Sequence, residues 1–79
     1  MVLFVWDAKA SDSRRKTFYA ELSGYGGYKG VIDEIPRGDF EWASRSAILV
    51  AKAHAGKFRE LLLKYDDIVK WREFEVGGP

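Results

Sequence analysis

The apolar residues between positions 40 and 65 recur at intervals of three and four, and this spacing constrains the fold more than any other feature of the 79-residue chain. Residues at that spacing share one face of an α-helix, so the pattern predicts one long helix with a buried side. The stripe consists of Phe40, Ala43, Ala47, Ala51, His54, Phe58, Leu61, Leu62 and Tyr65. Gly56 leaves open a break into two shorter helices. The stripe nevertheless keeps its phase across Gly56, which favours a single helix.

A second apolar set lies on the opposite side of the same predicted helix. At about 100° per residue, Leu49, Gly56 and Leu63 project away from the stripe, and they are spaced seven apart. Basic residues repeat at the same interval, at Arg45, Lys52 and Arg59. The glycine would let another helix approach closely while the leucines pack beside it. We predict an interface here with a protein partner or a second copy of the chain. The alternative is that the leucines are ordinary isolated surface residues.

The rest of the chain predicts strands around this helix. Residues 2–6 are apolar in both alternating sets, as in a central strand that is covered on both faces. Alternation over 17–22 and 28–35, on either side of a turn rich in Gly and Tyr, predicts a hairpin. Residues 68–76 predict a last strand with a bulge near Arg72 or Glu73. The predicted fold is therefore α+β in the order β-β-β-α-β, with a single domain over 1–76 and a disordered tail at 77–79.

Composition narrows the chemistry. The chain has 13 basic and 12 acidic residues, no Cys and one His, with a formal net charge of +1. Disulfides, thiolate metal sites and cysteine nucleophiles are excluded, and one His does not make a zinc site. No global charge attracts nucleic acid or a membrane surface, and the apolar run at 2–6 is too short to span a membrane. We predict a cytoplasmic protein without cofactor, metal or catalytic residues.

A local surface combines basic and aromatic side chains despite the balanced total charge. The basic segment 8–16, the tyrosine turn at 23–27 and the first residues after that turn contribute Lys9, Arg14, Arg15, Lys16, Tyr25, Tyr28 and Lys29. Cations contact phosphates, and exposed rings stack on unpaired bases. The pattern predicts binding of single-stranded nucleic acid, although short basic runs are also common on ordinary solvated surfaces.

Three carboxylates offer an alternative function. Asp7 ends the first strand, Glu41 begins the predicted helix and Glu73 lies on the last strand, and convergence of the three would create an Mg²⁺ site. The layout is similar to the front half of a ribonuclease H-like fold, which has three strands, a helix and a fourth strand, with an Asp on the first strand and a Glu on the helix. That family's local motifs are not found in this chain. We therefore predict first a small interaction or regulatory module, and as the alternative a metal-dependent nuclease-like domain.

Overall fold

The computed structural model describes residues 1–77 and contains four strands and two α-helices. In chain order these are β1 (Val2–Ala8), α1 (Arg14–Ser23), β2 (Phe40–Ser44), β3 (Ala47–Val50), α2 (Ala55–Lys64) and β4 (Val69–Glu75). The α+β prediction is confirmed, but the order is β-α-β-β-α-β rather than β-β-β-α-β. Of the predicted disordered tail at 77–79, the last two residues lie outside the described range.

The four strands form one antiparallel sheet in the order β2-β3-β1-β4. This strand order, combined with the order of elements, is the split β-α-β topology, also called ferredoxin-like. The prediction that the first strand is central is confirmed, since β1 pairs with β3 on one side and with β4 on the other. The β1–β4 register runs without interruption from Val2↔Glu75 to Ala8↔Val69, so the predicted bulge near Arg72 or Glu73 is wrong.

The predicted strand at 17–22 is instead part of helix α1. Its two buried residues, Phe18 and Leu22, are four apart and lie on one helical face. The same two residues also fit an alternating pattern, so six positions do not distinguish the two periods. The preceding Arg14, Arg15 and Lys16 favour a helix and extend it at its N-terminus.

The second half of the predicted hairpin, 28–35, has no strand in the structure. After α1 the chain makes a tight turn, in which the Tyr25 and Tyr28 backbones exchange two hydrogen bonds of 3.1 and 3.0 Å. It then passes close to the end of α1, where a Cβ on Gly30 would collide with the backbones of Leu22 and Gly24. The segment continues through short 3₁₀ turns at Ile32–Glu34 and Arg37–Asp39.

The single long helix predicted over 40–65 is wrong in its first half. Residues 40–50 form the β2–β3 hairpin, in which Ile48 and Val50 are fully buried at alternating positions. These β-branched residues favour a strand. The break therefore lies before Ala55 rather than at Gly56, which is inside α2. The second half of the stripe is correct, because Phe58, Leu61 and Leu62 are buried on α2 and Tyr65 is buried directly after it.

Both helices pack on the same face of the sheet. The core there joins the even-numbered residues of β1 to the buried sides of α1 and α2. Phe4 on β1 stacks on Phe58 of α2 with 5.7 Å between ring centroids. Trp6 is also buried, and its indole N–H donates a hydrogen bond of 3.3 Å to the Tyr19 hydroxyl. The opposite face of the sheet carries neither helix.

Candidate interaction surfaces

The face of the sheet that the helices leave open has an apolar centre. Side chains alternate between the two faces along a strand, so the odd-numbered residues of β1 and their cross-strand partners point away from the helices. The register places Leu3 between Leu49 and Phe74, and Val5 between Ala47 and Arg72. Phe74 is 48% exposed, and Leu3 and Leu49 are half-buried. We call these five apolar residues, Leu3, Val5, Ala47, Leu49 and Phe74, the open-face patch.

Charged residues border the open-face patch asymmetrically. Glu41, on the β2 edge, is the cross-strand partner of Leu49. Arg72 and Lys70 lie on β4 at the other edge, opposite Val5 and Asp7. Within residues 1–77, neither Glu41 nor Arg72 has an ion-pair partner. The surface is therefore acidic at one edge, apolar in the middle and basic at the other edge.

The interface predicted at Leu49, Gly56 and Leu63 does not lie on one helical face. Leu49 is on β3 and points to the open face, whereas Gly56 and Leu63 are exposed on the outer side of α2. Because β3 ends and α2 begins between Leu49 and Gly56, the spacing of seven residues does not place them on a common helical face. An interface at Gly56 and Leu63 alone stays a prediction, and Leu49 belongs to the other side of the molecule.

The basic residues predicted to accompany that interface are also dispersed. Arg45 lies in the β2–β3 turn, and Lys52 is 3.5 Å from Glu75. Arg59 donates two hydrogen bonds to the Glu73 carboxylate, at 2.8 and 2.7 Å. This bidentate pair holds the pKa of Glu73 below its ordinary 4.5 and raises that of Arg59. Arg59 thus ties α2 to β4.

A groove with basic and aromatic walls runs along α1 and the turn that follows it. The depression along α1 is lined by Arg15, Lys16, Thr17, Tyr19, Ala20, Ser23, Gly24 and Tyr25. Tyr19 and Ser23 also line a neighbouring depression together with Trp42, Ser44 and Arg45. The two depressions therefore adjoin at Tyr19 and Ser23. We call their combination the α1 groove.

The structure divides the seven predicted nucleic-acid-binding residues. Arg15, Lys16 and Tyr25 line the α1 groove, and Tyr28 is paired with Tyr25 in the adjoining turn. The remaining three do not line the groove; they are Lys9, Arg14 and Lys29. The predicted basic loop is wrong at 14–16, since those residues form the first turn of α1.

Arg14 is turned away from the groove toward two carboxylates. Its guanidinium lies 2.7 Å from Asp67 and 3.3 Å from Asp12. The hydrogen bond that Arg14 donates lowers the pKa of Asp12 and raises that of Arg14. Lys9 also lies on this side, where it lines a depression with Asp66 and Asp67. Both cations therefore have acidic neighbours near the start of α1, whereas the tyrosine turn follows its end.

The three carboxylates predicted to hold a metal do not converge. Asp7 and Glu41 are on the open face, on β1 and β2, with β3 between these strands. Glu73 is opposite Phe4, on the face covered by the helices, where it binds Arg59. Over the described range, no group of three or more His, Asp or Glu side chains is placed to hold a metal ion. The hypothesis of one metal site formed by these three residues is wrong.

Sequence reasoning missed the open-face patch as a unit, although one of its signals was visible. Residues 2–6 are apolar at both odd and even positions, which is typical of a strand covered on both faces. In the structure only the even positions are covered by helices.

None of the helices in the described range is long and apolar enough to cross a membrane.

Comparisons of the chain with models of protein families, with characterised proteins and with solved structures give no significant match.

Proposed function

We propose that this protein is an interaction module that pairs with a second copy of itself through the open-face patch. The observation that carries the proposal is the mismatch on β1, whose residues are apolar on both faces while the helices cover only one. Contiguous exposed apolar surface of this kind marks interaction sites in proteins. A second sheet would supply the missing cover, since two sheets pack face to face about 10 Å apart.

The charges at the two edges favour a second copy as the occupant. A twofold axis between the sheets and parallel to the strands would bring the β2 edge of one subunit over the β4 edge of the other. Glu41 would then face the partner subunit's β4 edge near Phe74. Arg72 is one same-face position away on that strand, roughly 7 Å, within reach of its long side chain. The same operation places β3 opposite β1, so that Leu49 meets Leu3 and Val5.

Such a pairing places the acidic edge of each subunit against the basic edge of the other, so that opposite charges meet at two places in the dimer. Rotation about an axis across the strands would instead place β2 over β2 and β4 over β4, so that the two acidic edges meet and the two basic edges meet. Like charges in contact are disfavoured, so the edge charges select the first arrangement. The patch supplies the driving force and the edges set the orientation.

Sedimentation equilibrium of the parent and of Phe74→Glu tests the pairing. We expect a concentration-dependent dimer for the parent and at least about a tenfold weaker dimer for Phe74→Glu, because a carboxylate would replace an apolar ring in the interface and would lie close to the partner subunit's Glu41. The matched control is Leu63→Glu, since Leu63 is 53% exposed on the outer side of α2. It should leave the dimer unchanged.

Three outcomes would contradict the proposal. A parent that remains monomeric at millimolar concentration rules out the second copy. Dissociation by Leu63→Glu but not by Phe74→Glu would assign self-association to the α2 face that the sequence predicted. Equal dissociation constants for all three proteins would place the dimer contact elsewhere. Circular dichroism melts of each variant establish that the comparison is between folded chains.

A further inference from the structure

We propose that the α1 groove is a binding site for single-stranded nucleic acid. This inference goes beyond self-association and rests on different residues, since the groove is on the helix side of the sheet and the open-face patch is on the other. The ligand is identified by two features of the groove, its charge and its rings.

All charged side chains that line the groove are basic. Arg15, Lys16 and Arg45 line it, and no Asp or Glu is among the described lining residues on either side of Tyr19 and Ser23. All three cations are exposed, and within the described range none has an ion-pair partner. In contrast, Arg14 on the same helix is paired with two carboxylates. Unpaired cations along a groove are the arrangement that neutralises a phosphate backbone.

The rings at the groove are exposed and their backbone is fixed. Tyr25 and Tyr28 are 78% and 83% exposed. They flank Gly26 and Gly27, whose φ angles of +58° and +92° match a type I′ hairpin turn. Because their backbones exchange two hydrogen bonds, the two tyrosines are direct cross-strand partners and project to the same side of the turn. Two phenol rings are therefore presented to solvent on one side of the turn.

A third exposed ring lies at the other end of the groove. Trp42 is 41% exposed and is held edge-on against the buried Trp6, with 6.0 Å between ring centroids. Between the two ends, Tyr19 is held by its hydrogen bond from Trp6, and the Arg15 guanidinium lies 5.1 Å from the Tyr19 ring centroid. Exposed aromatic rings and cations that line the same groove suit a strand that offers both bases and phosphates.

Unpaired bases fit these rings better than duplex or peptide ligands do. Stacking on tyrosine and tryptophan requires base faces that a duplex conceals within its own stack. An acidic peptide would use the cations but has no reason to require the rings. The observations therefore favour single-stranded RNA or DNA, and the ring and charge variants below separate these ligands.

Fluorescence anisotropy with labelled oligonucleotides of about 15 nucleotides, dT and rU homopolymers beside a duplex of equal length, tests the site. We expect the full chain to bind the single strands with an affinity that falls steeply with salt. The triple variant Arg15→Gln, Lys16→Gln, Arg45→Gln should reduce the slope of log affinity against log salt by about two to three units. The single change Lys16→Gln should reduce it by about one unit. Lys57→Gln, on α2 beside Glu34, is the matched control and should leave the slope unchanged.

The ring variants test stacking separately from charge. Tyr25→Ala and Tyr28→Ala should each weaken binding about fivefold or more with little change in the salt slope, because stacking releases few ions. Tyr25→Phe and Tyr28→Phe keep the ring and should keep the affinity. Retained affinity in both alanine variants would overturn the stacking role.

Other outcomes overturn the proposal directly. No binding by the parent at low salt would remove it. Tighter binding of the duplex, or equal competition by polyglutamate of matched charge, would assign the groove to a different ligand. Phe74→Glu, which is designed to separate the subunits, should still bind the single strands, so failure of one proposal is distinguishable from failure of the other.

Discussion

The two faces of the sheet have similar sequences on β1 but very different surroundings. Val2, Phe4 and Trp6 are buried beneath the two helices, whereas Leu3 is half-buried and Val5 is exposed on the open face. An alternating strand in a half-covered sheet would ordinarily place polar residues on the open side. The two faces of β1 therefore serve different purposes. The covered face stabilises the chain, and the open face is available for association.

The largest expected effect is a loss of stability, which should differ between a phenylalanine on the covered face and one on the open face. Phe58→Ala should lower the free energy of unfolding by about 3 to 5 kcal/mol, because Phe58 is 1% exposed and stacks on Phe4. Phe74→Ala should lower it by less than about 1 kcal/mol when measured at dilution. Urea denaturation followed by circular dichroism measures both. Equal losses would mean that the two faces contribute alike to the isolated fold.

A smaller effect is expected from neighbouring residues of β3. Ile48→Ala removes a fully buried side chain from the covered face and should cost about 2 to 4 kcal/mol. Leu49→Ala, one position along, should cost much less in dilute solution but should weaken self-association. Denaturation and sedimentation on the same two variants give the comparison. A reversed order of stabilities would show that the faces have been assigned the wrong way round.

These contrasts depend on a hairpin that the sequence pattern concealed. Phe40, Ala43 and Ala47 fit a spacing of three and four, and this coincidence joined the hairpin to α2 in one predicted helix. Alternation of Trp42 with Phe40, and of Ile48 with Val50, was present in the same residues but is equally short. Local periodicity does not choose between these readings, because the choice is made by pairing with β1, which is distant in sequence.

Longer and more regular segments were predictable. The α+β class, the central β1, the buried side of α2 and a final strand all followed from periodicity. The basic and tyrosine residues of the α1 groove were recognised only in part. Arg15, Lys16 and Tyr25 are near one another in sequence, whereas Trp42 and Arg45 join them only when the β2–β3 hairpin is formed. No spacing rule links residues across that distance.

The covering layer can be strengthened without touching the open face. Gly56 is exposed in the first turn of α2, and a Cβ added there meets no atom within 4 Å. Gly56→Ala should therefore raise the free energy of unfolding by about 0.5 to 1 kcal/mol, since alanine loses less backbone entropy on folding. Thermal denaturation measures the gain, and sedimentation should give an unchanged dimer. A destabilised variant would show that the folded chain does not accommodate a Cβ at Gly56.

The smallest expected effect is a pH dependence at the rim of the covered face. Because Arg59 lowers the pKa of Glu73 in the folded chain, the pair stabilises the fold fully above about pH 4.5, and this contribution is lost as the pH falls through the lowered pKa. Glu73→Gln should flatten the stability profile in that acidic window and leave its shape near neutral pH unchanged. Denaturation at a series of pH values gives the profile. An identical acid limb in parent and variant would contradict the pairing.

The most direct test of the open face as a self-pairing surface uses two variants that are each defective alone. Glu41→Arg and Arg72→Glu should each place like charges together at both edges of the proposed dimer and sediment mainly as monomers. An equimolar mixture of the two should sediment as a dimer, because each edge then joins opposite charges again. We predict restoration on mixing. A mixture that stays monomeric, or single variants that dimerise as the parent does, would contradict the proposed pairing.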